Sequence, residues 1–443
     1  MSTLDRVLAF THDTTLVDLP DEAVRHGRRF LLDLLGVAIA GSQTELSRII
    51  RDHAVDHFGA GRVGAPVLFD GRVVSPAGAA LAGGMTIDSI DAHDGHRLTK
   101  GHTGCGLLPS LLAFHQAEGL DDGDDFLAAL IVGYEVGTRA GIALHATAPD
   151  YHTSGAWIAL GAALVGARAL ALDAAHSAEA IGIAEYHGPR SQMMRVIDHP
   201  TMLKDGSGWG AMAGTSAAYL AADGFTGAPA ITVTGEDAAA SWEDLGSHWI
   251  IADQYLKEFP VCRWAQPAVE ATRVLMADHG VGPGDIEDVE VFTFHEGARL
   301  AVRHPATTEQ AQYALPFPVA ATIVHGEVSP ATVTDRLDDP EIARFAAALT
   351  VTEDDTHNAA FPARRFARVA FTLRDGRRIE SADHEAPGDP HTPLADDDVV
   401  AKFHAYADPV IGGERALAIR TAVESLGTGV PLRTLTELLL GPS

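Results

Sequence analysis

The sequence has few cysteines and no long hydrophobic run. Its two cysteines, Cys105 and Cys262, lie far apart and form no CxxC pair. This argues against a disulfide framework or a thiolate zinc site and favours a cytoplasmic protein. No stretch reaches the roughly 18 uncharged apolar residues that a membrane helix requires. The N-terminus lacks a basic start followed by an apolar stretch, so we expect neither a signal peptide nor a membrane partner.

Positive charge is also scarce. The chain has 32 Lys and Arg against 60 Asp and Glu, a formal net charge of −28. We therefore expect no nucleic-acid partner, because neutralising phosphates requires a basic face. Only four of the cations are lysines: Lys100, Lys204, Lys257 and Lys402. A lysine offers a compact charge and a pKa that burial can lower. Three of the four lie in stretches that look like site loops, although drift in base composition also explains their number.

The first 250 residues follow helical patterns. The stretch 18–41 has an acidic, Pro-containing start, apolar residues at helical spacing and Gly41 as a stop. Six further helices are predicted, over Ser75–Ile90, Gly104–Ala117, Asp125–Leu144, Ser154–Leu172, Ala174–Ala184 and Gly208–Ala222.

The pattern changes near residue 260. Asp285–Phe294 alternates like a half-buried strand, and Phe366–His384 predicts a hairpin with Asp375-Gly376 at its turn. Helices are predicted between them, over Pro318–His325 and Pro340–Leu349, and again over Asp396–Ala407 and Glu414–Leu426. A 443-residue chain also exceeds one typical core. We therefore predict a mainly α fold: a large all-helical domain (1–258), an inserted smaller α+β lid domain (259–392), and C-terminal helices (393–443) that return to the helical domain.

A polar segment, Ile87–Gly106, stands between two apolar helices. It carries Asp88, Asp91, His93, Asp94, His96, Lys100 and His102. Catalytic groups concentrate in loops held by rigid elements, and a histidine oriented by a carboxylate is suited to acid–base chemistry. A solvated loop is the plainer alternative. A metal site is another, since Asp91, His93, Asp94 and His96 offer oxygen and nitrogen ligands, although their spacing is not that of a helical HExxH pair.

Residues 199–214 are rich in glycine. Gly206-Ser207-Gly208-x-x-Ala211 matches the dinucleotide fingerprint formally, but no buried strand precedes it. Two interpretations stay open. One is a helix start near Gly208 that binds an anion beside Lys204; the other is a tight helix crossing that requires glycine.

Two other stretches add candidate residues. His152 precedes an apolar helix, where a helix N-terminus tends to lower the pKa of histidine. Tyr255–Ala271 places Lys257, Cys262 and Arg263 at the inferred domain junction, and such clefts favour ligands. Cys262 has no nucleophile motif around it, so we expect a packed thiol.

Several segments together resemble the MmgE/PrpD family, which includes 2-methylcitrate dehydratase, cis-aconitate decarboxylase and iminodisuccinate epimerase. The resemblance covers nearly the whole chain, in family order, through LDLLGVAIAG, IDAHDGHRLTKGHTG, YHTSG, MLKDGSGWGAMAG, LKEFPVCRWAQPAVEA, AQYALPFPVA and KFHAYA. It implies a helical domain with an α+β lid, usually in a homodimer, without metal or organic cofactor.

The resemblance also implies roles for single residues. Asp91, His102 and His152 match catalytic positions, and Lys204 and Lys257 match lysines that face substrate carboxylates. Asp94 and Arg263 join them as expected substrate contacts. Phe317 falls at a substrate position where decarboxylating members can carry tyrosine, which argues against decarboxylation. The chain departs from the family pattern at His93 (usually Asp or Asn), Gly95 (usually Thr or Ser) and Thr103 (usually Pro).

These observations predict an enzyme for a small di- or tricarboxylate that moves a proton at the carbon next to a carboxylate. An acidic protein needs local cations to bind such a substrate, so we expect the lysines to contact its carboxylates. Dehydration of a 2-hydroxy tricarboxylate such as 2-methylcitrate is the first expectation. Epimerisation of a substituted succinate, decarboxylation of cis-aconitate, and a non-catalytic or metal-dependent binding protein are the alternatives.

Overall fold

The computed structural model describes residues 1–441 and is mainly helical, as predicted. Its helices are α1 Thr3–Asp13, α2 Asp21–Gly41, α3 Glu45–His57, α4 Pro76–Asp88, α5 Gly104–Glu118, α6 Gly123–Thr147, α7 Gly155–Ala169, α8 Ala174–His187, α9 Met194–Asp198, α10 Ser207–Ala222, α11 Ile231–Thr234, α12 Gln266–His279, α13 His295–Ala298, α14 Thr308–Gln312, α15 Pro316–His325, α16 Pro330–Asp335, α17 Pro340–Ala348, α18 Asp355–Ala360, α19 Asp396–Ile411, α20 Gly413–Ser425 and α21 Arg433–Leu439. Its strands are β1 Ala65–Pro66, β2 Val73–Val74, β3 Gly95–His96, β4 Gln254–Tyr255, β5 Ile286–Thr293, β6 Thr350–Glu353, β7 Ala367–Leu373 and β8 Arg378–Glu380.

Helices from both ends of the chain share the first hydrophobic core. Helix α2 follows Pro20, carries two acidic residues in its first turn and ends at Gly41, as its sequence predicts. Helix α19 packs along α2, with the Phe403 ring beside Gly36. The side chains of α19, α20 and α21 belong to this same core.

Helix α6 is the one described helix that is long and apolar enough to cross a membrane by length and composition. Within its most apolar window, 94% of the residues are buried inside the protein. That burial is typical of a core helix.

The start of α10 is a tight helix crossing. A Cβ atom on Gly84 of α4 would lie 2.7 Å from Cα of Gly208, so the two helices meet backbone to backbone. The Ser207 hydroxyl donates to the Asp88 carboxylate at 2.7 Å, and the Asp205 N–H contacts the same oxygen at 3.3 Å. Since an internal carboxylate already occupies this helix start, the crossing interpretation of the glycines is the one that the structure supports.

A second hydrophobic core surrounds the larger sheet, whose strand order is β6-β5-β7-β8. Strand β5 pairs parallel with β6 and antiparallel with β7. The predicted β7–β8 hairpin is confirmed, and Gly376 takes the positive φ of 87° that its turn requires. Helices α12 and α17 pack against the sheet, and α15 packs against both of these helices. The domain boundaries and the lid arrangement stay predictions.

A short strand pair joins the polar segment to the chain that leads into the second core. Gly95 and His96 of β3 pair antiparallel with Tyr255 and Gln254 of β4. This pairing brings residues far apart in sequence to one cleft.

Candidate active site

A cavity lies where the two hydrophobic cores meet, with about 420 Å³ of empty space, its opening to solvent included. Its polar lining comes from both sides of the cleft: Asp91, Lys100, His102, Asp205, Tyr255, Lys257, Arg263, Tyr313 and Arg365. Its apolar lining consists of Met193, Val196, Ile197, Cys262 and Trp264.

Asp91 and Lys257 form a buried ion pair in this cavity. The Lys257 Nζ atom lies 2.7 Å from Oδ1 of Asp91 and 2.8 Å from its carbonyl oxygen. Burial by itself raises the pKa of Asp91, but the Lys257 and Lys204 charges outweigh it and hold that pKa below its usual value. Burial likewise works to lower the pKa of Lys257, yet Asp91 and other nearby groups leave it raised. Both groups are therefore charged at neutral pH.

His102 lies beside this pair as a neutral imidazole. Its Nδ1 donates to the Asp94 carbonyl, because a carbonyl only accepts, so the second nitrogen, Nε2, keeps its lone pair. Nε2 lies 3.7 Å from Oδ1 of Asp91. Burial first, and then the Lys257 charge, lower the pKa of His102 to about 4. His102 can therefore accept a proton at neutral pH.

His93 packs against His102 as an uncharged ring. The two ring centroids are 4.2 Å apart. Burial holds the pKa of His93 well below its usual value, and the Lys257 and Lys204 charges act in the same direction. His93, which departs from the family pattern, therefore packs directly against the His102 ring.

Three side chains outside the polar segment hold its backbone in place, two as donors and one as an acceptor. The Lys402 ammonium donates to the Ala92 carbonyl at 2.7 Å and pairs with Asp33 at 2.6 Å. The Trp157 indole donates to the His102 carbonyl at 2.9 Å. The His102 N–H donates to the Ser154 hydroxyl at 2.8 Å. The segment is therefore a fixed loop, and the solvated-loop alternative is wrong, since Asp91, His93 and Asp94 are all buried.

Asp205 is a carboxyl group that the sequence did not single out. It lines the cavity and accepts a short hydrogen bond from the Ser154 hydroxyl. Burial first, and then the Asp88 charge, raise the pKa of Asp205 to about 8. The group is therefore mostly protonated at neutral pH and can donate a proton.

The predicted cations differ in what they contact. Lys204 is buried at the edge of the site, where its ammonium donates to the Gln312 amide oxygen and lies 4.6 Å from the Tyr313 ring centroid. Arg263 lines the cavity, but its guanidinium pairs with Asp389 at 3.0 Å and donates to the Pro387 carbonyl at 2.8 Å. These contacts position both side chains.

The structure does not place four of the predicted site residues on the cavity lining: Asp94, His152, Lys204 and Phe317. Asp94 is buried beside His102, and burial raises its pKa to about 7 although the Tyr134 hydroxyl acts in the other direction. His152 is half-buried and bonds the Asp150 carbonyl through Nδ1 at 2.9 Å. Phe317 is 1% exposed and packs in the second hydrophobic core, while Tyr313, four residues earlier, lines the cavity.

Several site residues hold a left-handed backbone. Among residues 1–441, five non-glycine residues have a positive φ, and three belong to the site: Asp91 (49°), Lys100 (52°) and Lys204 (51°). Such conformations are unfavourable for a side chain-bearing residue and cluster at functional sites.

The space beside Gly95 is filled by a tyrosine. A Cβ atom on Gly95 would lie 2.3 Å from the Tyr255 hydroxyl oxygen. The chain therefore lacks a hydroxyl side chain at position 95 but places a phenolic hydroxyl next to it.

A metal alternative meets an electrostatic obstacle. Asp88, Asp91 and His93 place ligand atoms within 4.8 Å of one another. The Lys257 ammonium already pairs with Asp91 at 2.7 Å, so a divalent cation would have to displace it or share its carboxylate.

Sequence analysis missed Asp205, Tyr255, Tyr313 and Arg365, and it counted Lys100 among the lysines without assigning it a role. Asp205 follows Lys204 directly, and Tyr255 lies two residues before Lys257, so neighbouring residues were a usable signal. Arg365 had none, because it directly precedes the stretch predicted as a hairpin (Phe366–His384) and belongs to no motif.

Proteins similar to this chain are known along nearly its whole length. A cis-aconitate decarboxylase-like protein of Aspergillus oryzae is 23% identical over 480 residues, covering 96% of this chain and 94% of that protein. The cis-aconitate decarboxylase of Mus musculus is 25% identical over 464 residues (98% and 92%), and that of Homo sapiens is 23% identical over 459 residues (98% and 93%).

Family models agree with these similarities. The MmgE/PrpD N-terminal domain matches residues 6–242, and the MmgE/PrpD C-terminal domain matches residues 259–428. The two matches lie on either side of the segment that contains β4, Lys257 and the approach to the second core. The chain belongs to the MmgE/PrpD family.

Proposed function

We propose that the protein is a lyase for a small tricarboxylate and that it eliminates water from a 2-hydroxy tricarboxylate such as 2-methylcitrate. One observation carries this proposal: a single cavity holds a histidine whose pKa is lowered to about 4 and a carboxylic acid whose pKa is raised to about 8. At neutral pH the first is a base and the second an acid. Groups whose pKa values are pushed apart in this way are the acid–base pair that elimination requires.

Each step uses a group on the cavity wall. Nε2 of His102 removes the proton from the carbon next to a carboxylate, and the electron pair moves toward that carboxylate. The Lys257 ammonium stabilises the charge that develops there, and Asp91 holds the ammonium in place. Asp205 then donates its proton to the hydroxyl on the adjacent carbon; the electron pair returns to form the C=C double bond as the C–O bond breaks and water leaves. Exchange with solvent then returns the proton from His102 and reprotonates Asp205.

Decarboxylation of an unsaturated tricarboxylate such as cis-aconitate is the second candidate. It is favoured by the three relatives, each named as a cis-aconitate decarboxylase or a protein like one. The phenylalanine at position 317 does not disfavour decarboxylation, because its ring is buried in the second core. Tyr313 lines the cavity instead.

The test is an NMR assay in D₂O with a panel of citrate, 2-methylcitrate, cis-aconitate and a substituted succinate. Loss of water supports the proposal, and loss of CO₂ supports the second candidate instead. Deuterium entry at carbon without either loss indicates an epimerase. No change with any acid overturns both candidates, and metal analysis after chelator treatment then tests for a metal-dependent protein.

Two variants connect the activity to the cavity. His102→Asn should lower kcat by about 10²–10⁴, since a positioned base is removed. His115→Asn is the matched control, because His115 is a buried histidine on α5 that does not line the cavity. Equal activity in the two variants contradicts the assignment of His102.

A further inference from the structure

Arg365 is a buried cation without an ion-pair partner, although its charge acts on the Asp389 carboxylate, which pairs with Arg263. Its side chain lines the cavity and is 4% exposed. The Nε atom is buried without a hydrogen-bond partner, and Nη2 makes only a long contact, 3.3 Å, to the Arg97 carbonyl. Within residues 1–441 no carboxylate oxygen lies within 4.0 Å of its nitrogens. A buried charge left in this state is costly unless a ligand supplies the missing anion.

The neighbouring cations of the site are already engaged. Lys257 pairs with Asp91 at 2.7 Å, and Arg263 pairs with Asp389 at 3.0 Å. Lys204 donates to Gln312. The Arg263 and Arg365 guanidinium groups both lie near the Tyr255 ring, 4.7 and 5.5 Å from its centroid, yet only Arg263 has a carboxylate partner. Arg365 is therefore the arginine of the cavity that is free to bind a ligand.

Lys100 lines the same cavity as Arg365. Its ammonium makes one long hydrogen bond, 3.3 Å, to the Leu98 carbonyl and lies 3.9 Å from the Tyr151 ring centroid. Burial first, and then the Arg365 charge, lower the pKa of Lys100 to about 8, while Glu296 acts weakly in the other direction. An anion placed between the two cations would relieve their repulsion and satisfy both.

We propose that Arg365 and Lys100 bind the substrate carboxylate that is remote from the reacting carbon. This inference rests on the proposed function and assigns the specificity of the same site. A planar guanidinium can bind both oxygens of a carboxylate, and the ammonium adds a point charge. The pair thereby makes a third carboxylate a requirement, and the protein discriminates tricarboxylates from dicarboxylates.

The test measures binding of two non-reacting acids by isothermal titration calorimetry. Tricarballylate has three carboxylates, and methylsuccinate is the same skeleton without one terminal carboxylate. The wild type should prefer tricarballylate by about 10- to 100-fold, the range expected for a buried charge-assisted contact. Arg365→Gln should abolish this preference while leaving the affinity for methylsuccinate nearly unchanged.

Arg364→Gln is the matched control, because Arg364 is the adjacent arginine, is exposed and pairs with Glu385 outside the cavity. It should keep the wild-type preference. Lys100→Gln, at a half-buried position, should reduce the preference in part and provides the test if Arg365→Gln does not fold.

The outcomes separate this inference from the proposed function. A preference that stays at the wild-type value in Arg365→Gln, or in Lys100→Gln where that variant replaces it, overturns the inference alone. So does an equal loss of affinity for both acids, since that marks a structural role. A wild type that binds neither acid and converts none of the NMR panel overturns the proposed function and the inference together.

Discussion

The pH dependence of kcat/KM tests the acid–base assignment most directly. Activity requires neutral His102 and protonated Asp205. Protonation of His102, whose pKa is lowered to about 4, removes the base on the acid side. Ionisation of Asp205, whose pKa is raised to about 8, removes the acid on the alkaline side. We expect a bell-shaped profile between these limits, with kcat/KM falling about tenfold from pH 7 to pH 9 as the protonated fraction of Asp205 declines.

The surroundings of Asp205 explain why its pKa, and with it the alkaline limb of the pH profile, lies well above that of an ordinary aspartate. Burial disfavours the carboxylate, and the Asp88 and Asp91 charges disfavour it further, while the Ser154 hydroxyl stabilises it by donating a hydrogen bond. Asp205→Asn cannot ionise, so its profile should lose the alkaline limb, and kcat should fall by about 10²–10⁴.

Lys100 also carries a pKa near 8 and requires its own control. Lys100→Arg keeps a positive charge throughout the range. A limb caused by Lys100 would shift upward in this variant, whereas a limb caused by Asp205 stays in place. The assay is a stopped reaction from pH 4 to 9 with the acid that the NMR panel identifies. A flat profile from pH 6 to 9, or an alkaline limb that persists in Asp205→Asn, refutes the assignment.

Three further predictions concern the packing of the site. Lys257→Met leaves the Asp91 carboxylate buried and unpaired, so the free energy of unfolding in urea should fall by about 3–5 kcal/mol. The double variant Lys257→Met/Asp91→Asn should recover part of this loss. An equal loss in the single and double variants argues against the ion pair. Gly95→Thr puts a Cβ atom 2.3 Å from the Tyr255 hydroxyl oxygen. It should cost about 1–3 kcal/mol in thermal unfolding. The added cost should be smaller in a Tyr255→Ala background, which removes the whole ring, and an unchanged Tm contradicts the contact. Phe317→Tyr buries a hydroxyl in the second core, so the free energy of unfolding should fall by about 1–3 kcal/mol. The product in the NMR assay should stay the same. A new product would show that residue 317 contacts the substrate.

Much of the secondary structure could be predicted because it depends on local patterns. Helix α2 was predicted from its acidic start and its Gly41 stop, and the β7–β8 hairpin from Asp375-Gly376. The β3–β4 pair could not be predicted, since it joins two-residue strands that are far apart in the chain and have no periodicity. Strand β6 has only four residues, and its parallel pairing with β5 joins segments far apart in the chain.

The site residues likewise fall into those that could be predicted from the local sequence and those that could not. Asp91, His102 and Lys257 could be predicted from the density of polar residues and the family order, and the structure brings them together. The protonation states of His102 and Asp205 could not be predicted. Burial is the leading cause of their pKa shifts, and burial is a property of the folded chain. Arg365 stayed hidden because nothing in its local sequence shows that it faces a cavity.

The left-handed backbone at Asp91, Lys100 and Lys204 sets stability against side-chain charge at these positions. A side chain-bearing residue in that region costs about 1–2 kcal/mol relative to glycine, which adopts it freely. Glycine at position 100 would remove that cost, but it would also remove an ammonium that makes one 3.3 Å hydrogen bond and lies over the Tyr151 ring. A variant chosen for stability alone would therefore deplete the cavity of the positive charge that an anionic ligand needs.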